Sequence, residues 1–153
     1  MSYQIAKVRL SQITFATIGA IALAGCATSS ASAETMTVYN LSSDDTFIQF
    51  GQPNGIGDKI IWRSAVETEA GEVLGIGSGH CVKLDAADNY FCSFLVEFDD
   101  RGSIAGHGIQ RTEPQVSLFP IIGGTGEFEG IVGQIETQPV EDRARFKYVI
   151  TYQ

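Results

Sequence analysis

Gly79-His80-Cys81-Val82-Lys83-Leu84-Asp85-Ala86-Ala87-Asp88-Asn89-Tyr90-Phe91-Cys92-Ser93-Phe94-Leu95-Val96-Glu97-Phe98 is the most informative stretch of the chain. Two runs rich in β-branched and aromatic residues flank a short polar segment, the composition of a turn between strands. If Asp85 to Asp88 forms a four-residue loop, Leu84 faces Asn89 and Cys81 faces Cys92. Opposed residues of a non-hydrogen-bonded antiparallel pair lie about 4.5 Å apart at Cα, close to the range a disulfide spans. Register therefore expects a bridge between Cys81 and Cys92.

Asp99 to Gly102 reads as the next four-residue turn, so Phe98 faces Ser103 and Phe94 faces His107. One face of the three-stranded patch then holds Cys81, Tyr90, Cys92, Phe94, Val96, Phe98 and His107. The other holds His80, Val82, Phe91, Ser93, Leu95 and Glu97. Neither face is purely polar, as in a barrel whose outer wall is partly covered by another subunit.

The same pattern runs outward in both directions. From Glu34 onward no stretch sustains a 3.6-residue period, whereas period-two and β-branched runs recur. Strands are expected over Thr35–Leu41, Lys59–Thr68, Glu72–Leu84, Asn89–Phe98, Ser103–Arg111, Val116–Ile122, Glu127–Thr137 and Ala144–Tyr152, with a short piece at Thr46–Phe50. About eight consecutive strands predict an all-β, up-and-down antiparallel barrel, since closure removes exposed edges. Glycines inside the strands (Gly75, Gly77, Gly79, Gly106, Gly108, Gly130, Gly133) mark bends and bulges.

Upstream, Lys7 and Arg9 precede an almost wholly apolar Ile13–Ala24 segment, which is shorter than the roughly 20 residues a bilayer span needs. Leu23-Ala24-Gly25-Cys26 follows and resembles a lipobox. This predicts a lipoprotein signal over residues 1–25 with lipidation of Cys26, a tether over 26–34 and a barrel over 35–153. The implied location is the bacterial cell envelope. Ala27, not Asp, follows the Cys and favours the outer membrane facing the periplasm. The competing site, Ala31-Ser32-Ala33, would release a soluble secreted or periplasmic domain. Export places the cysteines where disulfides persist.

Of 153 residues, 44% are apolar, enough for one core, and only 18% are charged. The net charge is −8, and loss of the leader removes two of its bases. An acidic domain lacks the basic footprint for nucleic acid, and contact with a membrane is expected only through the lipid anchor. Gly75-Ile76-Gly77-Ser78-Gly79 and Gly123-Gly124-Thr125-Gly126 precede strand patterns, not helices, so they read as turns and bulges rather than phosphate cradles. In the register above, His80 faces away from Cys81 and His107, so no tetrahedral set converges and no metal is expected. His107 remains a candidate cavity acid or base. Gly77-Ser78-Gly79 lacks the strand-to-helix context of a nucleophile elbow.

Pro120-Ile121-Ile122-Gly123-Gly124-Thr125-Gly126-Glu127-Phe128-Glu129-Gly130-Ile131-Val132-Gly133-Gln134 resembles the Gly-Gly-Thr/Ser-Gly-x-Phe-x-Gly-x-x-Gly segment of allene oxide cyclases and dirigent proteins. Val38-Tyr39, Gly57-Asp58, Gly79-His80-Cys81-Val82 and Ser93–Phe98 followed by Asp100-Arg101-Gly102 match further family segments in the right order. The resemblance implies a small barrel, often a homotrimer, with an apolar central cavity and no cofactor. In the cyclases that cavity closes an unstable fatty-acid epoxide; in dirigent proteins it orients phenoxy radicals. It also implies cavity roles at Asn40, where the cyclases carry a Glu, at Ser64, where they carry an Asn, and at Cys81, whose match suggests a free thiol as the rival to a disulfide. Phe94 and His107 share that expected face. The dirigent arginine is replaced by the run Ile131-Val132-Gly133.

Two functions are consistent with these residues. The first is an exported barrel that binds a small apolar or amphipathic molecule and guides a cofactor-free isomerisation or cyclisation. The second is a non-catalytic structural or lipid-carrier lipoprotein.

Overall fold

The computed structural model describes residues 32–112 and 115–153. The expected signal segment, Cys26 and most of the expected tether lie outside the described residues. The elements are β1 (Glu34–Leu41), β2 (Thr46–Ile48), β3 (Lys59–Glu67), β4 (Val73–Lys83), β5 (Tyr90–Phe98), β6 (Gly102–Gln110), β7 (Ser117–Gly124), β8 (Gly133–Val140) and β9 (Arg145–Tyr152), with three single 3₁₀ turns. Each strand from β3 onward pairs antiparallel with the next, and β1 pairs with both β9 and β3. Eight strands thus close into an antiparallel barrel, and β2 is an extra strand on the β3 edge.

Alternation fills the interior. Val38, Val66, Val96, Ile104, Ile135 and Ile150 point inward and are fully buried. Phe94 stacks edge-on against Phe119 at 5.1 Å and tilts against Tyr148 at 5.5 Å. Inward glycines make room for these rings. A Cβ on Gly79 would lie 2.7 Å from both Phe94 and Trp62, and one on Gly106 would lie 2.9 Å from the tip of Phe94. Small residues opposite large ones are how a narrow barrel is packed.

The β4–β5 register matches the sequence reading, with Cys81 opposite Cys92 and joined to it by a disulfide. The turn is held by Asp85, whose carboxylate accepts from the backbone N–H of Ala87 and Asn89 and from the Asn89 side chain.

The β5–β6 register differs by one residue. Phe98 faces Gly102 and Phe94 faces Gly106, while His107 faces Ser93. The turn has three residues, Asp99 to Arg101, because Asp100 adopts a left-handed conformation at φ 61° and tightens it. Gly102 belongs to the strand, where a Cβ would come within 2.0 Å of the Thr125 carbonyl oxygen. A one-residue slip moves every side chain of β6 to the other face.

The eighth strand also starts later than its alternation suggests. Glu127 to Ile131 does not extend the sheet; Gly126–Phe128 is a 3₁₀ turn, and β8 begins at Gly133, just after Val132 exchanges backbone hydrogen bonds with Gln153. This turn folds Phe128 into the end of the barrel, where it is 1% exposed between Phe98 and Tyr152. Arg101 lies over its outer face at 5.0 Å, held by Glu127 at 2.8 Å. That end is plugged.

Candidate functional site

At the opposite end the described residues leave an opening. A cavity of about 520 Å3 enters from it, bounded by the turn after β1, the loops before β5 and after β6, and the turn between β8 and β9. Its walls are mostly apolar: Ile60, Trp62, Tyr90, Phe94, Phe119 and Phe146, together with both sulfur-bearing residues of the disulfide. An enclosure of this size suits a small organic molecule.

The open end owes its shape to a break in the wall. β1 pairs with the last residues of β3 through Tyr39 and Asn40, opposite Glu67 and Val66. β2 pairs with the first residues, Thr46 opposite Ile61 and Ile48 opposite Lys59. Between the two pairings side chains take over. Asn40 donates to the Ser64 hydroxyl at 2.9 Å and to the Ala65 carbonyl at 3.1 Å, and Ser64 donates to the Leu41 carbonyl at 2.7 Å. The Tyr148 hydroxyl approaches the Asn40 amide oxygen at 3.4 Å. Asn40 is 3% exposed, and Gly77 leaves room for it, since a Cβ there would sit 2.7 Å from its amide nitrogen. Both Asn40 donors are therefore committed to closing the barrel. A carboxylate could not donate to the Ala65 carbonyl, which gives a structural reason for the amide at this position.

The expected site residues separate into three groups. Asn40, Cys81 and Phe94 line the cavity. Ser64 is buried behind Asn40 and bonds to it. His107 is corrected: it is exposed on the outer surface beside Phe91, 5.8 Å between ring centroids, as a consequence of the β5–β6 slip. His80, Ser93 and His107 form a row across the outside of β4, β5 and β6. Among the described residues no group of three or more His, Cys, Asp or Glu is placed to hold a metal ion.

Asp45 is the site residue that sequence reasoning missed. It follows the turn at the break, lines the cavity and is half-buried. Burial, reinforced by the neighbouring charge of Asp44, pushes its carboxyl up to about 6. Burial and the Asp45 charge also push the Tyr148 phenol well above its ordinary value. In sequence Asp45 belonged to Ser42-Ser43-Asp44-Asp45, which carries only a turn signal; its exposure to the cavity follows from the break between β1 and β2.

These features are those of a cyclase-like barrel. Residues 35–151 match the model of the allene oxide cyclase barrel like domain, and the chain belongs to that family. Solved structures share the fold at low identity. Pyocyanin demethylase is 22% identical with a TM-score of 0.69, over 78% of this chain and all of that one. A pterocarpan synthase dirigent protein is 13% identical with a TM-score of 0.68, over 79% of this chain and 87% of its own. An exo-specific intermolecular Diels-Alderase is 16% identical with a TM-score of 0.64, over 80% and 98%. No protein of curated function matches the sequence.

Proposed function

We propose that the barrel receives one small, largely apolar molecule through its open end and holds it in a single conformer for a cofactor-free isomerisation or cyclisation. The observation that carries this reading is the cavity itself: largely apolar and aromatic on its walls, plugged at one end, and left unfilled by the described side chains at the other. A rigid enclosure accelerates a reaction of a flexible molecule by removing the orientational freedom it would otherwise lose at the barrier. A purely structural barrel would fill this space. The likeness to a Diels-Alderase and to a dirigent protein supports the same class of task.

Trp62 is the chain's single tryptophan and stands on the cavity wall, so its fluorescence reports occupancy. Titration of the full chain with 9-anthracenemethanol should give saturable energy transfer from Trp62. Absence of saturable transfer would reject the receptor reading. Lipidation at Cys26, an outer-membrane location facing the periplasm and assembly as a homotrimer complete the proposal. The exposed apolar side chains Ile61, Phe91, Leu118 and Ile122 on the outer wall support self-association. A monomer by sedimentation would remove that part alone. Labelled palmitate should enter the wild type and not Cys26→Ala.

A further inference from the structure

The turn at the break carries a polar group that the barrel does not use. Among the described residues no side chain forms an ion pair with the Asp45 carboxylate, although it lines a largely apolar cavity. Three residues earlier, Ser42 lines the same cavity. Its hydroxyl has no hydrogen-bond partner among the described residues but is closed off from the cavity as well, so of the two only Asp45 is available to a ligand. The two belong to one turn, closed by the Asp45 N–H donating to the Ser42 carbonyl at 3.3 Å. A carboxylate in a largely apolar cavity with no paired cation favours a ligand that brings one. Elsewhere the cavity presents the rings of Trp62, Phe94, Phe119 and Phe146. Aromatic faces attract cations.

We propose that the cavity takes an apolar molecule bearing one ammonium group, whose N–H groups donate to the Asp45 carboxylate while its hydrocarbon body lies against the aromatic wall. This rests on the receptor reading above and names the chemical class of its ligand. The ammonium supplies the counter-charge that the fold withholds from Asp45.

The other charges around the mouth leave this assignment intact. Arg111 and Arg143 line the cavity but are exposed to solvent, and the Asp45 carboxyl stays raised despite them. Asp88 is paired with Lys83. Asp44, the adjacent acid, is exposed and adds to the demand for a cation. Tyr148 is buried and holds its proton, and Tyr90 contributes a phenol to the wall. Both histidines lie on the outer surface, so no imidazole titrates among the described cavity residues.

The test compares 9-(aminomethyl)anthracene, a cation at every pH used, with neutral 9-anthracenemethanol. Each is titrated into the full chain from about pH 4.5 to about pH 7.5, with energy transfer from Trp62 as the readout. The ammonium probe should bind about tenfold more tightly at the upper pH, as Asp45 ionises. Asp45→Asn should abolish that rise. The alcohol should show no comparable rise in either protein. A flat profile in the wild type, or a rise that survives in Asp45→Asn, overturns the assignment. If the alcohol binds while the ammonium profile is flat, only the ligand class falls; if neither probe binds, the receptor reading falls with it.

Discussion

The two ends of the barrel are built from the same alternating strands and treat the interior in opposite ways. At one end Phe128 is folded inward by a glycine-rich turn and covered by Arg101. At the other, the chain leaves β1 early, crosses a gap and rejoins the β3 edge as β2, leaving a cavity lined by Asp45. At the plugged end Arg101 is paired with Glu127, and the open end has ion pairs of its own in Lys83–Asp88 and Arg145–Glu141. What distinguishes the open end is a carboxyl raised by burial with no ion-pair partner among the described residues. On the proposed function, ligand binding belongs to the open end alone, so substitutions at the plug should act on stability without acting on binding.

The largest effect is expected at the plug. Phe128→Ala removes a fully buried ring and should lower unfolding stability by about 4 kcal/mol in denaturant titrations. Binding of 9-anthracenemethanol under conditions where the variant remains folded should be unchanged, and a loss of binding would show that the ends are not separate. Asn40→Asp, at the boundary between the two, replaces two donors by acceptors facing the Ala65 carbonyl and should cost about 3 kcal/mol.

Next comes the disulfide, which lies on the cavity wall and ties adjacent strands. Paired Cys81→Ser and Cys92→Ser changes should cost about 2 kcal/mol, near the range set by so short a loop. Thiol titration of the unfolded, unreduced protein should find neither cysteine free. Two free thiols there would restore the rival reading of Cys81.

The smallest effect has the opposite sign. The Asp45 carboxyl, at about 6 when folded against 3.8 when unfolded, favours the protonated form in the folded state. Its contribution to stability is full below about pH 4 and is lost as pH rises through about 6. Asp45→Asn should therefore stabilise the protein at pH 7 by about 1 kcal/mol, a value reduced for partial exposure, and should give no gain near pH 3.5. Equal gains at both pH values would remove the carboxyl's charge as the cause.

Most of the barrel was legible in the sequence because its signals are local. The Asp85–Asp88 turn carries its own capping carboxylate and fixes the adjacent register without help from the rest of the chain. The departures came where a residue answers to a distant neighbour. Gly102 looks like the end of a turn, yet it is a strand residue kept small by the approach of Thr125. Phe128 sits in a run that alternates like a strand, but a turn carries it into the barrel end. The site was less legible for the same reason. The family positions pointed to Asn40 and Ser64, whose side chains are occupied in closing the wall, whereas nothing local distinguished Asp45 from Asp44.

Closure of the barrel depends on β1, the first strand, pairing along its whole length with β9, the last. Glu34 stands opposite Tyr152, so the barrel's seam joins residues nearly its whole length apart in sequence. Closing it carries the loop entropy of nearly the entire domain and cannot occur until the final strand is available. Folding should therefore be slow for a domain of this size, with a nearly complete sheet waiting on its C-terminal strand. During that interval β8 and β1 present unpaired edges, which makes the seam the place where a crowded population of folding chains would first join to one another.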